Sequence, residues 1–279
     1  MMAKSPLLAP PSAVEPPSPL SYEGRAALSP PWLHLRTTAM TSPHLDDAEI
    51  ARLFRHGSVA TVTNWLNQRG YRNAFVPGLH IVNPALRMAG RARTIRFVPA
   101  RPDLAELWPD REANPHRKAV EQIGAGEVLV ADAGGNEEGG VFGDIMTARL
   151  QARGAAGLVV DGAVRDAWQI QGIDLPVYTR HVNAAAIQRA VMAVEMDGIV
   201  TCKGVAVRPG DWVVGDPDGV VVVPALLAPE AAAYGAEHED LETYLRERVL
   251  QGAPLSEAYP PNEAVRDDYR ARYPGRAAH

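Results

Sequence analysis

The chain has 279 residues, of which 46% are hydrophobic and 22% charged, with a formal charge of -5 and a pI near 5.9. That balance excludes a wholly disordered chain or a coiled coil, and it leaves no concentrated basic surface to bind nucleic acid by counterion release. Cys202 is the only cysteine, so an intrachain disulfide framework and a thiolate zinc cluster are excluded, and a reducing, cytoplasmic setting is expected.

Nine of the 24 prolines fall within the first 43 residues. Proline removes an amide donor and fixes φ, so residues 1–41 are expected to be a disordered leader outside a domain spanning 42–279. Pro6, Pro10 and Pro11 interrupt the only apolar run there that a secretory signal needs. Arg25 and Arg36 are few arginines for a transit peptide, and a start at Met40 is the simpler alternative.

From Ser42 the pattern is globular. Ser42-Pro43 reads as a helix opening, followed by Ile50, Leu53 and Phe54 on one face. Ser58 is expected to cap a second helix through Val59, Val62 and Leu66. Strands are predicted at 91–99, 128–131, 158–160, 176–178, 199–201, 212–214 and 220–223. A helix over 144–153 gives part of this series a β-α-β rhythm, and hence an α/β sheet. A long polar helix over 229–250, with Leu241, Tyr244, Leu245 and Val249 on one stripe, reads as a docking helix. The apolar run Val220–Ala228 contains Pro224 and is half the length a membrane-crossing helix needs, so no membrane partner is expected.

The chemistry is densest between 131 and 166. Five glycines among residues 134–143 permit sharp turns and a close approach to a ligand. No Gly-Lys-Ser/Thr follows, which excludes a P-loop, and the spacing does not give a dinucleotide fingerprint. The helix beginning near Asp144 offers the free amides of Ile145 and Met146 to a substrate carboxylate, while a plain turn capped by Asp144 carries comparable weight. Farther along, the strand at 157–160 delivers Asp161, Arg165 and Asp166 to its C-terminal loop, where open α/β sheets bind ligands. A structural ion pair is the ordinary alternative.

Asp144, twenty intervening residues and then Arg165-Asp166 resemble the signature of the divalent-metal 4-hydroxy-4-methyl-2-oxoglutarate aldolases, which share a superfamily with the regulators of ribonuclease activity. Gly90–Thr94, Ala152–Asp166 and Val207–Pro224 also look like family segments, within a resemblance covering roughly 46–260. Asn64 stands where many relatives carry aspartate. The resemblance implies a swivelling β/β/α domain, a homotrimer or homohexamer with sites near subunit interfaces, and Mg2+ or Mn2+ as cofactor. It implies a 2-oxo acid substrate, cleaved to pyruvate and a carbonyl compound, with oxaloacetate decarboxylation beside it. By the same resemblance Asp166 holds the metal, Arg165 binds the keto oxygen and stabilises the enolate, and Asp144 positions a proton-shuttling water. The amides of Ile145 and Met146 then hold the substrate carboxylate. Asp161 is better read as a turn former before Gly162.

Only Lys118 and Lys203 lie outside the leader, and neither has a recognisable desolvating pocket for Schiff-base chemistry, so metal dependence is favoured. His181 reads as a surface histidine and Cys202 as packing. Trp168 is either a pocket wall or a helix-packing residue. The rival function is a non-catalytic regulator that binds a ribonuclease or helicase. Relatives of that kind typically lack the acid after the arginine, whereas Asp166 is present. A sugar-derived acid as substrate is a third reading.

Overall fold

A computed structural model describes residues 45–106, 113–187 and 190–274. The helix opening expected at Ser42-Pro43 and the leader lie outside these residues. The first described helix, α1 (Asp47–His56), is capped by Asp46, whose carboxylate accepts the Glu49 amide proton. Helix α2 (Val59–Gln68) is capped by Ser58 in the same way. The strands are β1 (Phe75–Val76), β2 (His80–Ile81), β3 (Met88–Pro99), β4 (Glu127–Phe142), β5 (Gly157–Val164) and β6 (Val177–Val182). They continue with β7 (Val191–Met196), β8 (Val200–Cys202), β9 (Val205–Val207), β10 (Trp212–Asp216) and β11 (Gly219–Val223). Between β3 and β6 run α3 (Pro102–Ala105), α4 (Pro115–Gln122), α5 (Asp144–Ala152) and α6 (Ala167–Ile170), and the C-terminal region holds α7 (Ala228–Leu250), α8 (Leu255–Ala258) and α9 (Glu263–Arg272).

The order β1-β11-β10-β3-β4-β5-β6-β2, with β7 added to β3, makes one mixed sheet, and β8 and β9 form a separate hairpin. Its centre, β3 to β6, is parallel, with α4, α5 and α6 in the connections. The parallel strands are buried on both faces. Leu129, Ala131, Leu158 and Val160 pack with Ile123 and Leu150 from the helices, while Val128, Val130, Val159 and Tyr178 pack with Cys202 and Val207 from the hairpin. Near-continuous apolar runs are what such a position demands. A third cluster joins Phe54, Val62 and Leu66 of α1 and α2 to Trp212, Val221 and the alanines of α7.

The long helix docks as its composition suggests. Ala228, Ala231, Ala232, Gly235 and Ala236 are buried, and a Cβ on Gly57 would stand 2.8 Å from the Gly235 carbonyl carbon, so α7 meets the end of α1 backbone to backbone. Leu241, Tyr244 and Leu245 continue the buried stripe into a cluster with Val265 and Tyr269 of α9, but Val249 at its end is 38% exposed.

Two expectations need correction. The glycine-rich stretch is not simply a turn: β4 continues through it, with 132–142 running opposite only 161–164 of β5 through three register shifts. It is a bulged excursion that keeps returning to the sheet. Asp161 is not a turn former either, since β5 carries it straight on to Val164. It is buried because the hairpin folds over it: the Lys203 amide donates to its Oδ2 at 2.7 Å, and Arg180 Nη1 lies 3.6 Å from Oδ1.

Candidate active site

Three connections converge at the C-terminal ends of β4, β5 and β6. The last residue of β5, Val164, hands over to Arg165 and Asp166, and Asp166 starts α6. Asp166 holds a left-handed backbone (φ 56°, ψ 35°), a region that non-glycine residues seldom occupy and that costs on the order of 1 kcal/mol. Its side chain makes no cap hydrogen bond to α6, so the carboxylate is left for other work. Asp166 Oδ2 lies 3.3 Å from Arg165 Nε, and the two side chains are 37% and 44% exposed.

The glycines of the excursion shape this turn. A Cβ on Gly140 would stand 2.6 Å from Arg165 Cβ and 2.8 Å from its backbone nitrogen. One on Gly143 would stand 2.7 Å from Asp166 Oδ2 and 2.9 Å from Arg165 Nε. The Arg165 amide donates to the Phe142 carbonyl at 2.9 Å, which ties the turn to the same segment. The close approach that glycine permits is thus made to the chain's own Arg165-Asp166 turn.

Gly143 is also the N-cap of α5, and it brings the helix start beside that turn. The first backbone bond of α5 runs from the Thr147 amide to the Gly143 carbonyl, so the amides of Ile145 and Met146 lie outside the helix ladder. Ile145 is nevertheless engaged: its amide donates to Asp144 Oδ1 at 2.8 Å. An incoming carboxylate has to displace Asp144 from that amide. The side chain of Met146 packs toward the core, while Ile145 (76%) and Trp168 (82%) are exposed beside the site. Trp168 therefore neither packs its helix nor walls a pocket within this chain.

Outside this cluster, His181 is exposed. Lys118 is exposed too, and the half-buried Lys203 donates through Nζ to the Gly78 carbonyl at 3.2 Å, so neither amine stands in a desolvating pocket. Cys202 is fully buried, and burial followed by the charges of Asp161 and Asp132 pushes its thiol well above the ordinary range, which makes it a packing residue. Asn64 lies exposed on α2. A groove of about 550 Å³ lined by Val82, Asn83, Leu86, Ile173 and Asp174 opens beside the N-terminal end of β6, away from the Arg165-Asp166 turn. It contains no cation to meet an acid substrate, so the chemistry favours the C-terminal edge.

The family model RraA-like, Aldolase/RraA, matches residues 45–222. The chain belongs to that family. A relative from Alkalilimnicola ehrlichii, provisionally named 4-hydroxy-4-methyl-2-oxoglutarate aldolase, is 36% identical over 149 residues, 53% of this chain and 88% of the relative. One of the same provisional name from Halalkalibacterium halodurans is 35% identical over half of this chain, a match that spans 60% of that relative's length. Among solved structures, Streptomyces coelicolor RraAS2, described as an unusual member of the RNase ES inhibitor RraA protein family, superposes with a TM-score of 0.63 at 33% identity, covering 72% of this chain and 97% of that one. The fold is thus the mixed α/β fold of the RraA-like family, and the relatives' names support a lyase at the level of the family. Among the described residues, no helix is long and apolar enough to cross a membrane.

Proposed function

We propose that this chain is a divalent-metal-dependent lyase that cleaves a 4-hydroxy-2-oxo acid to pyruvate and a carbonyl compound, and decarboxylates oxaloacetate at the same site. The observation that carries the reading is the Arg165-Asp166 turn: a cation and an uncapped carboxylate are held on a strained backbone, against two glycines, at the end of a central parallel strand.

The residues suit Mg2+ or Mn2+ bound in the way a hard cation allows. Asp166 offers an accessible carboxylate in a notch that any side chain on Gly143 would fill. Among the described residues no group of three or more His, Cys, Asp or Glu side chains converges. Asp166 would hold the ion, with substrate and water oxygens completing its shell. When bound, the ion supplies Lewis-acid charge to the 2-oxo acid.

The chain's own residues do the rest. Arg165, charged at any working pH, donates to the keto oxygen and stabilises the negative charge that develops there as the C3–C4 bond breaks. Asp144 at the helix start holds a water that carries the proton to and from the pyruvyl methyl. In the free site Asp144 Oδ1 accepts from Ile145, so substrate carboxylate taking the Ile145 and Met146 amides releases Asp144 for that role. The partner is a second copy of the chain in a homotrimer or homohexamer. The large exposed side chains of Ile145 and Trp168, on the two helices that start at the site, support this. The single, buried Cys202 supports a cytoplasmic setting.

The test is coupled pyruvate release from oxaloacetate and a panel of 4-hydroxy-2-oxo acids, with and without EDTA. Chelator-sensitive release that Asp166→Ala abolishes is expected. Activity indifferent to chelator and trapped by borohydride would assign the chemistry to a lysine instead.

A further inference from the structure

Asn183 has no role in the mechanism above, yet it hydrogen-bonds β4, the end of β5 and the segment after β6 around Arg165. It follows directly after β6 and is half-buried. Its backbone amide donates to the carbonyl of Val164, the residue before Arg165, at 2.9 Å. Its side-chain Nδ2 donates to the Glu137 carbonyl in the β4 excursion at 2.7 Å, and its Oδ1 accepts from the Ala185 amide at 2.8 Å. Ala185 in turn accepts the Gly140 amide at 2.9 Å, and the Asn183 carbonyl stands 3.0 Å from where a Cβ on Gly140 would lie. Gly140 is the residue against which Arg165 packs.

We propose that Asn183 is a positioning residue: its carboxamide ties the end of β6 to the glycine-rich excursion and so fixes Arg165 relative to the start of α5. The inference rests on the function proposed above for its catalytic consequence, and on the hydrogen bonds alone for its structural one. The geometry needs one planar group that donates on one side and accepts on the other, which is what a carboxamide offers. Aspartate keeps the acceptor for Ala185 but turns an oxygen toward the Glu137 carbonyl. Serine keeps the local turn with Ala185 and is too short for Glu137. Both therefore remove the side-chain tie between the end of β6 and Glu137, while the backbone bond from Gly140 to Ala185 and the adjacent turn remain. The excursion departs from regular sheet pairing with β5 at three places, so this tie replaces ladder bonds that the bulges remove.

The experiment compares Asn183→Ser and Asn183→Asp with the unaltered full chain by hydrogen exchange and by pyruvate release in the presence of Mg2+. Exchange over 137–143 and 164–166 is expected to rise about tenfold in both variants, with 88–98 and 157–161 unchanged. For oxaloacetate, kcat is expected to fall by about tenfold while KM moves less than twofold, because Arg165 acts on charge that develops only in the transition state. Unchanged exchange at 137–143 and 164–166 overturns the tie. Raised exchange with kcat unchanged in an active enzyme overturns the positioning role. If the unaltered chain releases no pyruvate, the proposed lyase function fails, and the exchange result still decides whether Asn183 holds the turn. Should both variants lose the fold, Asn183→Gln, which keeps donor and acceptor on a longer stem, provides the third measurement; normal exchange and kcat in it would count against the geometry described.

Discussion

Gly143→Ala separates the geometry of the site from the stability of the fold. Gly143 has φ -122° and ψ -174°, an extended conformation that alanine adopts without strain. The added Cβ would lie 2.7 Å from Asp166 Oδ2, against the 3.4 Å at which ordinary contact begins, so the carboxylate must retreat by about 0.7 Å. Arg165 Nε, at 2.9 Å, must move as well. Asp166 Oδ2 is the end of a partly exposed side chain, and Arg165, whose Cγ would also lie 3.2 Å from the new Cβ, is partly exposed and can swing away as a whole, so the displacement costs the fold little. Replacing glycine by alanine in an allowed conformation stabilises by about 0.4–1 kcal/mol through the unfolded chain, and the poorer N-cap that alanine makes for α5 offsets a similar amount. The melting temperature should therefore stay within about 4 °C of the unaltered value. The catalytic effect is much larger, because a misplacement near 1 Å costs up to about 100-fold in rate, and a tenfold or greater fall in kcat/KM for oxaloacetate is expected. Gly124→Ala is the control: the nearest atoms to its Cβ belong to the Glu127 side chain, remote from the turn, and activity should persist. A folded Gly143→Ala enzyme with full activity would refute the idea that this notch sets the carboxylate.

Asp166→Gly should abolish chelator-sensitive pyruvate release and still melt above Asp166→Ala by about 1 kcal/mol in urea titration, since only glycine removes the left-handed cost along with the carboxylate. Equal stability of the two would show that the backbone is unstrained. His116 sits edge-on between Phe97 and Phe142, and burial, with the charge of Arg117 second, holds its pKa down to about 4. The unfolded imidazole takes a proton near pH 6.5 while the folded one resists to about pH 4. Stability is thus full above 6.5 and falls as the pH drops toward 4, by on the order of 3 kcal/mol. His116→Phe should flatten that part of the urea-midpoint profile, and an unaltered slope would remove His116 as its source. Trp168→Arg should lower the particle mass in light scattering from a multiple of 30.0 kDa toward one chain, whereas an unchanged mass would take Trp168 out of the interface.

The parts of the fold legible in the sequence are those whose cause is local or periodic. Ser58 caps its helix through its own hydroxyl, and the β-branched apolar stretches of β10 (Trp-Val-Val) and β11 (Val220–Val223) are what a buried strand demands. What escaped depends on partners distant along the chain. β7 (Val191–Met196) carries Glu195 and Met192 in partly exposed positions and alternates weakly, and it is a strand because it pairs with the far half of β3. Asp161 precedes a glycine and so looks like a turn former, yet an amide 42 residues away, on the hairpin, is what makes a carboxylate tolerable inside β5.

The site divides in the same way. Arg165 and Asp166 stand out as charge at the end of an apolar strand, Asp144 joins them only through the family resemblance, and the left-handed backbone of Asp166 leaves no mark in the sequence. The glycines were conspicuous for the right property and a different object: the close approach they permit is to the neighbouring strand's turn. Asn183 carried no signal, since an asparagine after a strand is usual in loops. Its importance comes from three acceptors and donors that converge on it from β4, β5 and the segment after β6. The resemblance points to Asp144, Arg165 and Asp166, whereas the surroundings of Arg165 depend on how far β4 departs from its neighbour. It follows that variants at Asn183 and Gly140 should lower the rate of pyruvate release, because the bulged β4 lacks the ladder bonds that would otherwise fix Arg165.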